Sequence, residues 1–313
     1  MRSHRANLIE QLPTRARVLI IRLRSMGDCV LTTPAISILK SVRPDLEIAV
    51  SVEPRWAAIF EGHPAISAVL GASLAEAFRW RPFLCINLHG GTRSQMLTLA
   101  SGAAIRAGFQ HHRGSSLYDV RVPRAQEILG EERPVHTAEH LASAMFYLGC
   151  PQQEIPRAQL FAPPADRARP YAVIHPAAAA AYKTWDPEGF VAIARHILAT
   201  GGLEPVFIGG SGDDMRPFKE FECVAGAPLS EVKRLLSGAS LFAGNDSGPA
   251  HIAAAFDVPL VVLFGRIEHR TTWAPWRASA ARALANPGGI RAIQKDEVLA
   301  AINDLLQPHG RPA

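Results

Sequence analysis

The feature that most restricts the fold is a pattern met twice: a short, nearly continuous apolar strand runs into a glycine-containing turn and then a helix. Residues 17–23, Arg-Val-Leu-Ile-Ile-Arg-Leu, lead into Arg24-Ser25-Met26-Gly27-Asp28. The helix that follows places Val30, Leu31, Ala35, Ile38 and Leu39 on one face, with Pro34 near its start, where a missing N–H does least harm. Later, a strand at 240–243 runs into Gly244-Asn245-Asp246-Ser247-Gly248-Pro249 and a helix over 249–256. Strands apolar on both faces are buried on both faces, and their alternation with helices demands parallel sheets with right-handed crossovers. The same rhythm predicts strands at 47–52, 66–70 and 83–88 and helices at 92–100 and 137–148 in the first half. In the second half it predicts strands at 171–174, 205–208, 222–225 and 259–264, helices at 186–200 and 229–237, and a closing amphipathic helix at about 294–307. Between the halves, Pro151, Pro156, Pro163, Pro164 and Pro170 break every periodic pattern and mark a linker at about 150–170. The expectation is an α/β chain of two Rossmann-like domains with parallel sheets, residues 1–160 and 171–313. In open sheets of this kind ligands bind beyond the carboxyl ends of the strands, so the turns are where chemistry belongs.

Composition excludes several classes. At 313 residues, 48% hydrophobic and 19% charged, the chain can bury two cores and is not intrinsically disordered. A formal charge of +5 suits anionic partners such as nucleotide phosphates, phosphorylated glycolipids or a membrane face. Cys29, Cys85, Cys150 and Cys223 form no C-x-x-C pair, which argues for a reducing compartment without structural zinc or a disulfide framework. The start, Met1-Arg2-Ser3-His4-Arg5, lacks the apolar core of a signal peptide, and no apolar run approaches the roughly 20 residues that span a bilayer. A cytoplasmic protein is expected, at most peripheral to the membrane.

Four constellations carry candidate chemistry. In Ser25-Met26-Gly27-Asp28, Gly27 permits a tight turn, and Asp28 stands near a helix N-terminus either as a cap or as a carboxylate facing a ligand. In Gly244-Asn245-Asp246-Ser247-Gly248-Pro249-Ala250-His251, a glycine turn and a proline at the start of a helix leave N–H groups suited to phosphate or pyrophosphate, with Ser247 as an added donor. The alternative is an ordinary capped helix. His175-Pro176, five alanines, Tyr182, Lys183, Thr184 and Trp185 place a lysine after a strand end, either in solvent or against a diphosphate leaving group. Gly209-Gly210-Ser211-Gly212 fits a nucleotide-facing turn or a plain loop.

Together these motifs resemble glycosyltransferase family 9, the ADP-heptose:lipopolysaccharide heptosyltransferases. The resemblance rests on Val18-Leu19-Ile20-Ile21-Arg22-Leu23 running into Ser25-Met26-Gly27-Asp28, on Thr33-Pro34, on Lys183-x-Trp185, on Gly244-Asn245-Asp246-Ser247-Gly248-Pro249-x-His251, and on Pro259 and Phe264-Gly265. It implies a GT-B fold, two Rossmann-like domains facing across a cleft, with acceptor on the first, nucleotide-sugar on the second and the last helix returning toward the first. It implies that Asp28 is the general base and Lys183 the second catalytic residue of an inverting, metal-independent transfer. Donor-binding residues would be Met26, Gly27, Lys183, Thr184, Gly210, Asp246, Ser247, Gly248, Pro249 and His251. Arg93 and Arg113 would meet a phosphorylated acceptor, or are ordinary surface arginines. The resemblance implies no cofactor, ADP-heptose as donor, a phosphorylated glycolipid as acceptor and no nucleic acid. The sequence departs from the family at Ala177–Ala181, which lacks hydroxyls and glycine. It departs again where Asp213 or Asp214 stands near the expected ribose carboxylate, and at 284–290, which reads as a brief loop. Competing readings are a GT-B enzyme with another nucleotide-sugar or acceptor, a non-catalytic nucleotide-sugar binder, and an oxidoreductase. The last lacks a dinucleotide fingerprint after the first strand.

Overall fold

The computed structural model describes residues 7–307; the N-terminal stretch read against a signal peptide lies mostly outside the described residues. The chain divides into two compact units, one ending at Phe161 and one beginning at Ala162. The prolines of 151–170 exclude regular structure there, yet Ile155, Ala158 and Leu160 are buried, so the connection is packed where it leaves the first unit.

In the first unit the elements are β1 (Arg17–Ile21), α1 (Met26–Val30), α2 (Thr33–Val42), β2 (Glu47–Val52), β3 (Ala68–Gly71), α3 (Leu74–Trp80), β4 (Leu84–Asn87), α4 (Thr92–Ala100), β5 (Ile105–Phe109), β6 (Val120–Val122), α5 (Ala125–Leu129) and α6 (Thr137–Tyr147). All pairings are parallel, in the order β3-β2-β1-β4-β5-β6. Strand β1 is central: Arg17–Ile21 lie opposite Glu47–Ser51 on one side, and Val18–Ile21 opposite Leu84–Asn87 on the other. Its apolar run is therefore buried on both faces, as its sequence demands. The single helix predicted after β1 is instead two. Pro34 has no N–H to give the carbonyl of Val30, and the Thr33 hydroxyl takes that carbonyl at 2.8 Å. Thr32 likewise donates to the carbonyl of Asp28 at 2.8 Å, and a new helix starts at Thr33.

The second unit contains β7 (Tyr171–His175), α7 (Pro187–Gly201), β8 (Glu204–Gly209), β9 (Glu222–Ala225), α8 (Leu229–Ser237), β10 (Leu241–Asn245), α9 (Gly248–Ala255), β11 (Leu260–Phe264), α10 (Ile267–Trp273), β12 (Ala281–Ala285) and α11 (Lys295–Leu306). Its parallel sheet runs β12-β11-β10-β7-β8-β9, the same order as the first when each is counted from its own first strand. Asp186 opens α7 by accepting from the Gly189 N–H at 3.2 Å, a cap typically worth about 1 kcal/mol. The stretch at 284–290, expected as a loop, begins inside β12, whose residues lie opposite Leu260–Phe264 of β11. The closing helix α11 buries Val298, Ala301 and Ile302 among Phe190, Ile193 and Ile197 of α7 in the second unit's own core.

Both sheets reverse strand order at one place, between β1 and β4 and between β7 and β10. Crevices form at such switch points because the crossovers on either side leave in opposite directions. All four cysteines are free; Cys29, Cys85 and Cys150 are buried, burial pushing each thiol up to about 12, while Cys223 on the edge strand β9 is exposed.

Candidate functional site

At the first switch point the turn after β1 meets the end of β4. Asp28 is not the N-cap of α1 but its third residue, and Ser25 holds the cap position. The Ser25 hydroxyl donates to Asp28 Oδ2 at 3.3 Å, its N–H approaches the same oxygen at 3.5 Å, and Arg22 Nη2 lies 2.6 Å from it. All three contacts fall on Oδ2 of this part-exposed carboxylate. Arg22 is 8% exposed and donates through Nη1 to the Leu88 carbonyl at 2.6 Å, so the guanidinium bridges the ends of β1 and β4. The carboxylate on one side and the carbonyl on the other hold this buried cation in place through its two Nη atoms, while its Nε is buried without a partner. Met26 and Gly27 form the first turn of α1 beside it.

Several histidines surround this point. Burial and the charges of Arg22 and Arg24 push His89 down to about 4, and burial with His111 and Arg22 pushes His140 to about 4. His140 stacks on Phe109 with ring centres 4.1 Å apart, and His111 and His112 lie 4.3 Å from each other beside them. These rings are neutral at pH 7. Arg93, in the first turn of α4, lies 3.5 Å from Glu53 and donates to the Ala72 carbonyl at 3.4 Å. The Arg113 carbonyl accepts from Gln95, which ties its loop to the same turn of α4; the Arg113 side chain is exposed.

At the second switch point the ends of β7 and β10 are laced together. His175 Nδ1 and Ser247 Oγ are 2.9 Å apart, and Asn245 Nδ2 donates to the Pro176 carbonyl at 2.7 Å. Burial drives His175 to about 4. The spacing Lys183-x-Trp185 now has a physical meaning. Trp185 is buried; its N–H donates to Asn245 Oδ1 at 3.3 Å and its indole N–H to the Ile293 carbonyl at 3.1 Å. That anchor aims Lys183 at Asp246, with Nζ 2.6 Å from Oδ2. His269 Nδ1 lies 3.9 Å from the same oxygen, and Trp273 and Tyr182 pack around His269. Gly265 is required here, because a Cβ would sit on the Tyr182 carbonyl oxygen. Arg266 covers the Tyr182 ring at 4.9 Å.

Helix α9 starts immediately beyond this cluster. Ser247 is its N-cap in extended conformation and makes no side-chain cap bond, its hydroxyl being engaged with His175. Pro249 sits at the start, Gly248 carries no side chain over the terminus, and His251 is buried one turn in. A half-buried helix N-terminus with a hydroxyl at its cap and Lys183 paired to the preceding Asp246 has the chemistry of an anion site. Three further residues singled out in the sequence have hydrogen-bond or ion-pair partners of their own. The Thr184 hydroxyl donates to the Ala180 carbonyl at 3.1 Å, the Gly210 N–H donates to Asp213 Oδ2 at 2.7 Å, and Asp214 pairs with Arg216 at 2.8 Å. A groove of about 910 Å³ lies elsewhere, against the first turn of α7; Arg195, one of its cations, is paired there with Glu220 at 2.8 Å. Among the described residues no group of three or more His, Cys, Asp or Glu side chains is arranged to hold a metal ion.

The sequence reading missed Arg22, Asn245, His175 and Trp185 as organisers of the two turns. Arg22 reads locally as one polar residue in a strand, and its partner Leu88 is 66 positions away.

Comparison with known proteins agrees with this geometry. The family model for glycosyltransferase family 9 (heptosyltransferase) matches residues 73–297. Lipopolysaccharide heptosyltransferase 3 of Escherichia coli is 28% identical over 91% of this chain and 97% of its own length. The glycosyl transferase family 9 structure from Veillonella parvula superposes with a TM-score of 0.80 at 18% identity, covering 94% of this chain and 97% of that one. The E. coli heptosyltransferase WaaC with ADP-2-deoxy-2-fluoro heptose gives a TM-score of 0.74 at 21% identity, covering 92% of this chain and 99% of that one. The two Rossmann-type units are thus those of the GT-B fold. With its signature turns at both switch points and a family match spanning most of its length, the chain belongs to glycosyltransferase family 9, the heptosyltransferases.

Proposed function

We propose that this enzyme transfers a heptose from ADP-heptose to a phosphorylated inner-core acceptor of lipopolysaccharide at the cytoplasmic face of a membrane, with inversion and with Asp28 as general base. The observation that supports the reading is the part-exposed Asp28 carboxylate at the first switch point, held through Oδ2 by buried Arg22. In the proposed step an acceptor hydroxyl attacks the anomeric carbon while Asp28 takes its proton. The carbon–oxygen bond to the β-phosphate breaks, and its electron pair leaves with ADP. A single displacement inverts the anomeric centre without a glycosyl-enzyme intermediate, by the logic of one base and one leaving group. Lys183 and the N-terminus of α9 would meet the charge that grows on the diphosphate, and no metal or other cofactor takes part in the step. Met26, Gly27, Thr184, Gly210, Asp246, Ser247, Gly248, Pro249 and His251 would complete the donor site, and Arg93 and Arg113 the acceptor site. The donor assignment draws support from the ADP-sugar analogue in the related WaaC structure.

Asp28→Asn is the deciding variant. It should bind ADP as the parent does and lose transfer by about 10²–10⁴-fold, the usual worth of a general base. Unchanged turnover would reject the assignment. Thermal shifts with ADP, UDP and GDP test the nucleotide separately, and a preference for UDP would sink the heptose donor.

A further inference from the structure

Helices α3 and α4 lie side by side on one face of the first sheet. Their inner residues Ala77 and Leu97 enter the core with Leu19, Ile21 and Cys85 of β1 and β4. The outer face is unusually apolar. Leu74 and Phe78, one turn apart on α3, and Met96 and Leu99, one turn apart on α4, are 47%, 61%, 53% and 51% exposed. The Phe78 ring lies over Gly102 just past the end of α4, which joins the two helices' contributions into one patch. Single exposed apolar residues need no explanation, whereas four large ones on adjacent helices do.

Charge identifies what fits. From Ala77 to Tyr118 the chain carries Arg79, Arg81, Arg93, Arg106 and Arg113; Glu53 pairs with Arg93 and Asp119 with Arg106, which leaves the positive charge beside the apolar patch to Arg79 and Arg81. The nearest acid on α3, Glu76, is turned back onto the Gly71 N–H at 2.7 Å. Arg79 and Arg81 are exposed and alternate with Phe78 and Trp80. Large exposed apolar side chains flanked by exposed arginines such as Arg79 and Arg81 are the chemistry of a helix lying in the boundary between phosphate headgroups and acyl chains.

We infer that the outer face of α3 and α4 docks on an anionic lipid bilayer, with Leu74, Phe78, Met96 and Leu99 entering the interface and Arg79 and Arg81 meeting lipid phosphates. The choice of lipid rests in part on the glycolipid acceptor proposed above. The first turn of α4 also carries Arg93, so docking there brings the membrane surface to the edge of the first unit that holds the candidate acceptor residues.

The test uses the whole protein and vesicles without donor or acceptor. Co-sedimentation is measured with vesicles of pure phosphatidylcholine and with vesicles that also contain phosphatidylglycerol. The parent protein should bind the anionic vesicles at least about tenfold better, and binding should weaken with salt as charges are screened. Phe78→Ser with Leu99→Ser, and separately Arg79→Gln with Arg81→Gln, should each lower that binding by about tenfold or more. Transfer to a water-soluble acceptor fragment should stay within about twofold in both variants, which also certifies that they fold. The inference is overturned if the parent does not prefer anionic vesicles, or if both variants bind as the parent does. It is equally overturned if light scattering finds a parent dimer that Phe78→Ser converts to monomer, since the face then belongs to a second copy. Vesicle binding that persists when no transfer can be measured would reject the proposed reaction and leave the lipid surface standing.

Discussion

Lys183 and Asp246 set the electrostatics of the second turn together. The Asp246 side chain is nearly buried, and the ammonium 2.6 Å away offsets the cost of that burial. Lys183→Met removes both the cation and the compensation. We expect ADP affinity to fall by about tenfold or more and the protein to lose a few kcal/mol of stability, as unpaired buried charges do. The double variant Lys183→Met with Asp246→Asn should recover most of the stability and not the affinity, measured by calorimetry with ADP and by thermal melting. Recovery of both would mean that the lysine serves only to neutralise its neighbour. At this scale the sequence was legible where a residue's role is local. The glycine turns, Pro249 at a helix start and Asp28 near one all stand out from their immediate neighbours. Arg22, His175 and Asn245 were not legible, because each acts across a switch point on a strand end far away in the chain.

Among the elements, those with a local pattern of their own were readable, the edge strand β9 included, and those placed only by their neighbours were not. Strands β2 and β9 and helices α4 and α8 fall where their patterns predict. Strand β12, Ala-Arg-Ala-Leu-Ala, has neither β-branched residues nor alternation, and β11 alone gives it a place. Helix α10, with its run His269-Arg270-Thr271-Thr272, is short and poor in helix formers and follows from packing beside β11 and β12. The turn at Ala181–Lys183 is another element that tertiary contact defines, pressed against Gly265 at the end of β11. Gly265→Ala should force that turn outward, pull Lys183 from Asp246 and weaken ADP binding, with a loss of about 1–3 kcal/mol in stability. Gly91→Ala offers the contrast: space is open around that site, and only its positive φ is strained. A crystal structure of Gly265→Ala with an undisturbed Lys183–Asp246 pair would refute the argument.

For the molecule as a whole, one buried histidine and two half-buried ones shape how it responds to acid. His89, His140 and His175 are each held near 4, chiefly by burial, against about 6.5 in an unfolded chain. Between those values the unfolded chain takes up protons that the native protein refuses, so stability rises with pH across this window. Melting temperature should fall steadily from pH 7 toward pH 4.5 and be nearly flat just above 7. His140→Phe, which keeps a ring on Phe109, should flatten the slope; a melting temperature equal at pH 7 and pH 5 would contradict this reading. Paired carboxylates such as Glu139 and Glu222 are held below their ordinary values by arginines and add their loss only at lower pH. The distribution of sulfur across the two units has a practical sequel. A thiol-specific dye offered to the native enzyme has one address, Cys223 on the rim of the second sheet, while Cys29, Cys85 and Cys150 are shut away. The count of reacting sulfurs rising from one to four thus marks the loss of native structure.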